Sequence, residues 1–248
     1  MHLEPPGGVG TRPGGFESGC SMASTRTRKS VSRSTSDIAT AETTIAAQRH
    51  LAAAHPRWRE LIARVGPYRP TLTPDPFLAL VGSIIHQQVS MSAGAAIFGR
   101  VRALCPRKRL TPRAILAATD AELRSAGLSR QKAAYLHNIA EFFATRRVTP
   151  AGLRRATDEE VVEAVTRIKG VGRWTAQMLL LFCLHRPDIW PVLDLGLQRA
   201  AQNFFALRRP PTPQTLEKLG EPWRPYRTYA TWYLWRSLDR PVAPAVTH

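Results

Sequence analysis

The segment Ile168-Lys169-Gly170-Val171-Gly172-Arg173-Trp174-Thr175-Ala176 offers the clearest chemistry in this chain. Two glycines in three residues allow positive φ and a close approach to another backbone. With one helix ending at Arg167 and another beginning near Arg173, the N–H groups of Gly170, Gly172 and the following turn point outward at a helix N-terminus. Such a turn suits an anion, for example a DNA phosphate. Lys169 and Arg173 flank it with positive charge. A plain glycine-rich turn between helices would carry the same glycines, so the pattern gains weight only from its surroundings.

Those surroundings are strongly basic. Lys and Arg number 35 against 18 Asp and Glu, a net charge of +17. Only Lys29, Lys108, Lys132, Lys169 and Lys218 are lysines; the other basic residues are arginines. Residues 1–40 hold five basic and three acidic residues, which leaves +15 in the rest of the chain. The charge therefore belongs to the domain and not to a removable arm. It points to a polyanionic partner, usually nucleic acid, although an Arg-rich composition also follows from a GC-rich genome. Three cysteines, Cys20, Cys105 and Cys183, stand far apart. They exclude a disulfide framework and any four-Cys zinc or iron–sulfur site. No apolar run approaches the length of a membrane span, and the N-terminus shows no secretory signal.

The elements that must position the turn are helical. Residues 1–36, with Pro5-Pro6-Gly7-Gly8 and a Ser/Thr/Arg stretch, read as a disordered tail. Asp37 can cap a helix to about Ala54, and Pro56 starts a short one to Arg64. The prolines of 66–76 mark a loop. Phe77 to Val89 carries a helical apolar stripe. Ser90 or Ser92 caps the next helix, to about Leu104. Thr119 or Asp120 opens a short helix ended by Gly127, Ser129 opens 130–145, and Asp158 opens 159–167. Further helices are expected at 173–185, 195–206, 212–219 and 226–238. No period-two strand is convincing. The expectation is an all-α fold of two lobes with a cleft between them, spanning 37–238, followed by a tail at 239–248.

Several segments together resemble the helix–hairpin–helix DNA glycosylase superfamily that also carries a Gly/Pro-rich loop and a following Asp. The hairpin is Ile168 to Ala176, within a helix–hairpin–helix over about 159–185. Val81-Gly82-Ser83-Ile84-Ile85-His86-Gln87-Gln88-Val89-Ser90 resembles the family's early helix ending in Gln-Gln-x-Ser. Gly127-Leu128-Ser129-Arg130-Gln131-Lys132-Ala133 resembles a helix start of the family, and Pro187 to Asp194 its loop and Asp. Trp223-Arg224-Pro225-Tyr226-Arg227-Thr228-Tyr229-Ala230 resembles the 3-methyladenine DNA glycosylase II branch. The likeness runs from about residue 45 to 238. One departure is that the loop before Asp194 holds two prolines and no glycine.

The resemblance implies roles. Asp194 would be the catalytic carboxylate that stabilises an oxocarbenium-like transition state as a base leaves C1′; its place before Leu195 serves equally as a helix N-cap. Asp188 would be structural. Branches that also nick the strand carry Lys where this chain has Trp174, so the implied enzyme is monofunctional and hydrolytic. Trp174 and Trp235 would line the pocket for a flipped cationic base, with Met178 one turn further on; aromatic residues at helical spacing are otherwise core. Gln88 would intercalate, with Gln87 and His86 in the minor groove. Lys169, Gly170, Val171, Gly172 and Arg173 would hold phosphate. The carbonyls of Thr166, Ile168 and Val171 could hold Na+ or K+; no cofactor is required and no iron–sulfur cluster is implied. The partner would be double-stranded DNA with a damaged base, met by a monomer in a bacterial cytoplasm, at the nucleoid. A non-catalytic damage-binding module and a glycosylase for deaminated or oxidised bases are the alternative readings.

Overall fold

The computed structural model describes residues 35–145 and 148–239. The expected tails, 1–36 and 239–248, fall almost wholly outside them. Thirteen α-helices and two short 3-10 turns make up the described residues, with no strand. Two hydrophobic cores divide them. The first gathers α3 (Pro76–His86), α4 (Met91–Leu104), α5 (Pro112–Ala117), α6 (Asp120–Ser125), α7 (Arg130–Ala144), α8 (Pro150–Arg155), α9 (Asp158–Thr166) and α10 (Arg173–Phe182). The second is built from both ends of the chain. It joins α1 (Thr35–Ala54) and α2 (Arg57–Val65) to α11 (Leu195–Phe205), α12 (Pro213–Gly220) and α13 (Arg227–Arg236). Trp235 packs against both cores and so marks their seam.

The sequence sets the helices locally through their caps. The side chains of Asp75, Ser90, Thr111, Thr119, Ser129, Thr149, Thr157, Asp194 and Thr212 each accept an N–H from the first turn of the helix that follows. A cap of this kind contributes about 1 kcal/mol. Thr119 with Glu122 and Thr157 with Glu160 complete capping boxes. Thr157, not Asp158, therefore caps α9. Asp37 lies inside α1, which begins at Thr35. The six-residue helices α5 and α8 were not anticipated: each is one and a half turns long, too short to show an apolar period. α10 stops at Phe182 rather than 185.

The largest difference lies at α3. The apolar stripe continues to Val89, but the helix stops at His86 because Gln87 is extended and Gln88 is left-handed, with φ 56. Lys132 of α7 donates to the carbonyls of Ile85 at 2.9 Å and Gln87 at 2.6 Å. It takes acceptors that a continuing helix would have used, and a cation suits a helix C-terminus.

The loop from Pro187 to Asp194 is fastened at every step. Ile189 N–H donates to Thr228 Oγ1, Thr231 Oγ1 donates to the Ile189 carbonyl, and Trp190 Nε1 donates to the Leu216 carbonyl. Asp188 takes Arg227 through both carboxylate oxygens, at 2.8 and 3.1 Å, and Arg224 at 2.6 Å. Arg227 is 8 % exposed, and Glu217 pairs with its other nitrogen at 3.0 Å. Asp188 thus sits in a hydrogen-bonded, ion-paired network. Arg186 spans to the other core: it donates to the carbonyls of Arg154 and Ala156 and pairs with Asp158 at 3.2 Å.

Removing one partner of this half-buried network leaves charge uncompensated. Arg227→Met is expected to lower the unfolding free energy by about 3 kcal/mol, read as a shifted urea midpoint at unchanged slope.

Candidate functional site

Asp194 is the meeting point of the two lobes. It caps α11, its Oδ1 accepting the Leu197 N–H at 2.6 Å. The same oxygen accepts Trp235 Nε1 at 2.8 Å, from α13. Oδ2 accepts Trp174 Nε1 at 2.9 Å, from α10. A carboxylate oxygen has about two acceptor positions. Oδ1 is therefore filled, and Oδ2 keeps one position for a further group. The N-terminal end of α11 adds a favourable dipole for the charge. Asp194 is thus an N-cap, in a geometry compatible with the catalytic reading.

Of the residues expected to line a base pocket, Trp174 and Trp235 meet at Asp194. Both indoles turn their N–H edges to Asp194 and are partly buried against the cores. Phe182 stacks on Trp235 at 5.9 Å and 19°. Met178, one turn beyond Trp174, is buried in the first core. Leu193 and Leu195, either side of Asp194, are 55 % and 78 % exposed. Sequence reasoning passed over this apolar pair, although two leucines around an acid in a polar loop are a readable signal. Of the other Trp and Tyr residues, Trp58, Trp190, Trp223, Tyr229 and Tyr233 are buried in the second core, and Tyr68, Tyr226 and Trp232 pack against it partly buried.

The hairpin stands where the helix ends imply. α10 begins after Gly172 without a side-chain cap, unlike most of its fellows. The N–H groups of Gly170, Gly172, Arg173 and Trp174 meet no acceptor among the described residues. Lys169 and Arg173 are exposed. Val171 departs from expectation: its side chain is 4 % exposed and its N–H donates to the Ile168 carbonyl at 2.9 Å. It packs the hairpin and cannot donate to phosphate. The carbonyls of Thr166 and Val171 accept no backbone N–H among the described residues, whereas that of Ile168 accepts one. Three neutral carbonyls with no carboxylate fit a monovalent cation better than a divalent one.

α7 holds the hairpin and the tip together. Asn138 Nδ2 donates to the Lys169 carbonyl at 3.0 Å, and the Tyr135 ring lies under Gly170. One and a half turns earlier, Lys132 clamps the end of α3. Gln87 Nε2 donates to Thr175 Oγ1 at 3.3 Å, beside Trp174. His86 bonds its own helix at the Gly82 carbonyl and packs on Gly94. Gln88 is exposed, left-handed and without a hydrogen bond from its amide among the described residues. The structure thus brings Asp194, Trp174 and Trp235 into contact and links Gln87 to them; Gln88 projects from the tip. Lys132 and Thr175 were not singled out from sequence. Lys132 could have been, as a rare lysine in an arginine-rich chain.

The two hairpin glycines serve different ends. Gly170 has φ +103, and a Cβ there would sit 2.2 Å from the Tyr135 ring. Gly172 has an ordinary φ, and a Cβ there meets nothing within 4 Å. Gly170→Ala is expected to lower both melting temperature and duplex affinity. Gly172→Ala is expected to keep the melting temperature and still weaken duplex binding several-fold, because it obstructs only an approaching phosphate. Thermal melts beside fluorescence-anisotropy titrations separate the two.

DNA-3-methyladenine glycosylase 1 of Schizosaccharomyces pombe is 33 % identical over 196 residues, 77 % of this chain and 86 % of the relative. The solved S. pombe 3-methyladenine DNA glycosylase in complex with abasic DNA superposes with a TM-score of 0.70 at 34 % identity, covering 77 % of this chain and 95 % of that one. The DNA-3-methyladenine glycosidase of Bacillus halodurans gives 0.68 at 34 % identity, covering 77 % and 88 %. Residues 81–225 match the family of HhH-GPD superfamily base excision DNA repair proteins, and the chain belongs to that family.

Proposed function

We propose that this chain is a monofunctional DNA glycosylase that releases alkylated bases, of the 3-methyladenine and 7-methylguanine type, and leaves an abasic site. The observation that carries the reading is Asp194, held by an indole N–H from each lobe and a helix N-terminus, with one oxygen position open. A relative and two solved structures whose names specify 3-methyladenine support the substrate class. No helix among the described residues is long and apolar enough to cross a membrane; in a bacterial cell a DNA substrate would support a working place at the nucleoid.

The steps assign themselves to residues. The backbone N–H groups of Gly170, Gly172 and the start of α10 take a phosphate, with Lys169 and Arg173 beside them. Gln88 fills the space of the extruded base, and Lys132 keeps the tip in place. The base, positively charged after alkylation, lies against Trp174 and Trp235. Its C1′–N bond breaks with the electron pair leaving on the base. Oδ2 of Asp194 faces the positive charge that develops on the sugar, and water adds at C1′, releasing its proton to solvent. No amine stands at the position of Trp174, and Lys132 is committed to two carbonyls. A strand-nicking Schiff base therefore has no nucleophile in place. The carbonyls of Thr166, Ile168 and Val171 would hold a monovalent cation, which would supply positive charge next to the bound phosphate.

Two outcomes test the reading. Wild-type protein incubated with methylated duplex should release free base and yield strand breaks only after alkali treatment. Asp194→Asn should slow release by at least a hundredfold; release at the wild-type rate overturns the mechanism. Trp174→Phe and Trp235→Phe keep a ring and lose the N–H. A hydrogen bond to a charged group contributes about 1.5–3 kcal/mol, so each should slow single-turnover release about tenfold or more while binding to abasic duplex stays near wild type.

A further inference from the structure

A stretch of the first lobe carries charge that the proposed mechanism leaves unused. No Asp or Glu stands between Asp75 and Asp120. Within that interval Arg100, Arg102, Arg107, Lys108, Arg109 and Arg113 follow in close order, and all six are exposed. None forms an ion pair among the described residues. The next acids along the chain are already engaged: Asp120 lies 3.3 Å from His137, and Glu122 closes the Thr119 capping box. Arg107 and Lys108 both hold left-handed backbone, φ 53 each, in the 3-10 turn after α4. Two successive non-glycine residues in that conformation are costly.

The position of this stretch is set by α7. The hairpin is tied to Asn138, the tip to Lys132 about 9 Å back along the helix, and Arg100 to the Ala126 carbonyl at 2.8 Å, just before α7 begins. Along α7, the anchor of the tip therefore stands between that of the hairpin and that of Arg100, where the basic stretch begins. α4 starts at the tip and runs 14 residues away from it, about 21 Å. That is about six base pairs of duplex.

We propose that the surface of Arg100, Arg102, Arg107, Lys108 and Arg109 holds the backbone of the duplex arm on the side of the lesion away from the hairpin. It reads no sequence and acts on phosphates alone. The inference rests on the lesion-binding reading of the tip and goes beyond it by giving the second arm its own contact surface.

The experiment uses the full chain and duplexes with a central tetrahydrofuran abasic analogue, trimmed on one arm at a time. Arg107→Gln/Lys108→Gln/Arg109→Gln is compared with Arg100→Gln/Arg102→Gln and with Lys169→Gln in the hairpin. On the full duplex the triple variant should bind more weakly, with a slope of log affinity against log salt shallower by about 2 to 3, since each lost phosphate contact removes about 0.9. Trimming one arm should reproduce that loss in wild type and abolish the difference between wild type and variant. Trimming the other arm should couple to Lys169→Gln instead. The double variant, at a different point on the surface, should couple to the same arm as the triple. Equal weakening on all duplexes, or wild-type binding by both patch variants, overturns the proposal. Because binding is read without base release, a protein that shows the coupling but excises nothing would sink the glycosylase reading and leave this one standing.

Discussion

The molecule depends on a carboxylate shared between two lobes. Asp194 is held on the second lobe by the α11 backbone and Trp235, and on the first by Trp174. Burying charge is costly unless its acceptor positions are filled. Here three donors stabilise it, and each comes from a different helix. The lobes cannot shift against one another without breaking a charge-assisted hydrogen bond. The same contact that joins them leaves one oxygen position open at the seam.

The rest of the second lobe can be read as support for that oxygen. Asp188, six residues upstream, is locked by Arg227 and Arg224. Trp190 is buried against Trp223. Ile189 is fastened on both its N–H and its carbonyl by threonines of α13. The loop has no glycine to bend it, so its shape is imposed by these partners. On the first lobe α7 serves as the common rail, with Tyr135 and Asn138 under the hairpin and Lys132 under the tip. The distance between phosphate grip and tip is therefore fixed by one helix.

Much of this was legible in the sequence, for local reasons. Caps are single-residue signals, and Ser90, Thr119, Ser129 and Asp194 all cap the helices that they announce. Gly170 and Gly172 mark the hairpin, although only the structure separates the steric role of the first from the open space at the second. What could not be read depends on partners distant in sequence. The end of α3 is set by Lys132, 46 residues after His86, and no apolar period records that. The hairpin spacing makes Val171 a phosphate donor, whereas its N–H closes the turn on the Ile168 carbonyl. The indole N–H bonds to Asp194 join residues 20 and 41 positions apart. The resemblance placed all three residues at one site but did not say that they bond.

The second lobe is made from the two ends of the chain, and this orders its assembly in time. During synthesis α1 and α2 emerge first, with Leu51 and Trp58 ready for burial. Their partners on α11 and α13 follow roughly 130 residues later, on the order of ten seconds at ordinary elongation rates. The first lobe, continuous in sequence, completes in between. A nascent chain therefore carries a finished hairpin and basic surface before Asp194 has left the ribosome. The buried face of its N-terminal helices, Leu51 and Trp58 among it, spends that interval without its own core.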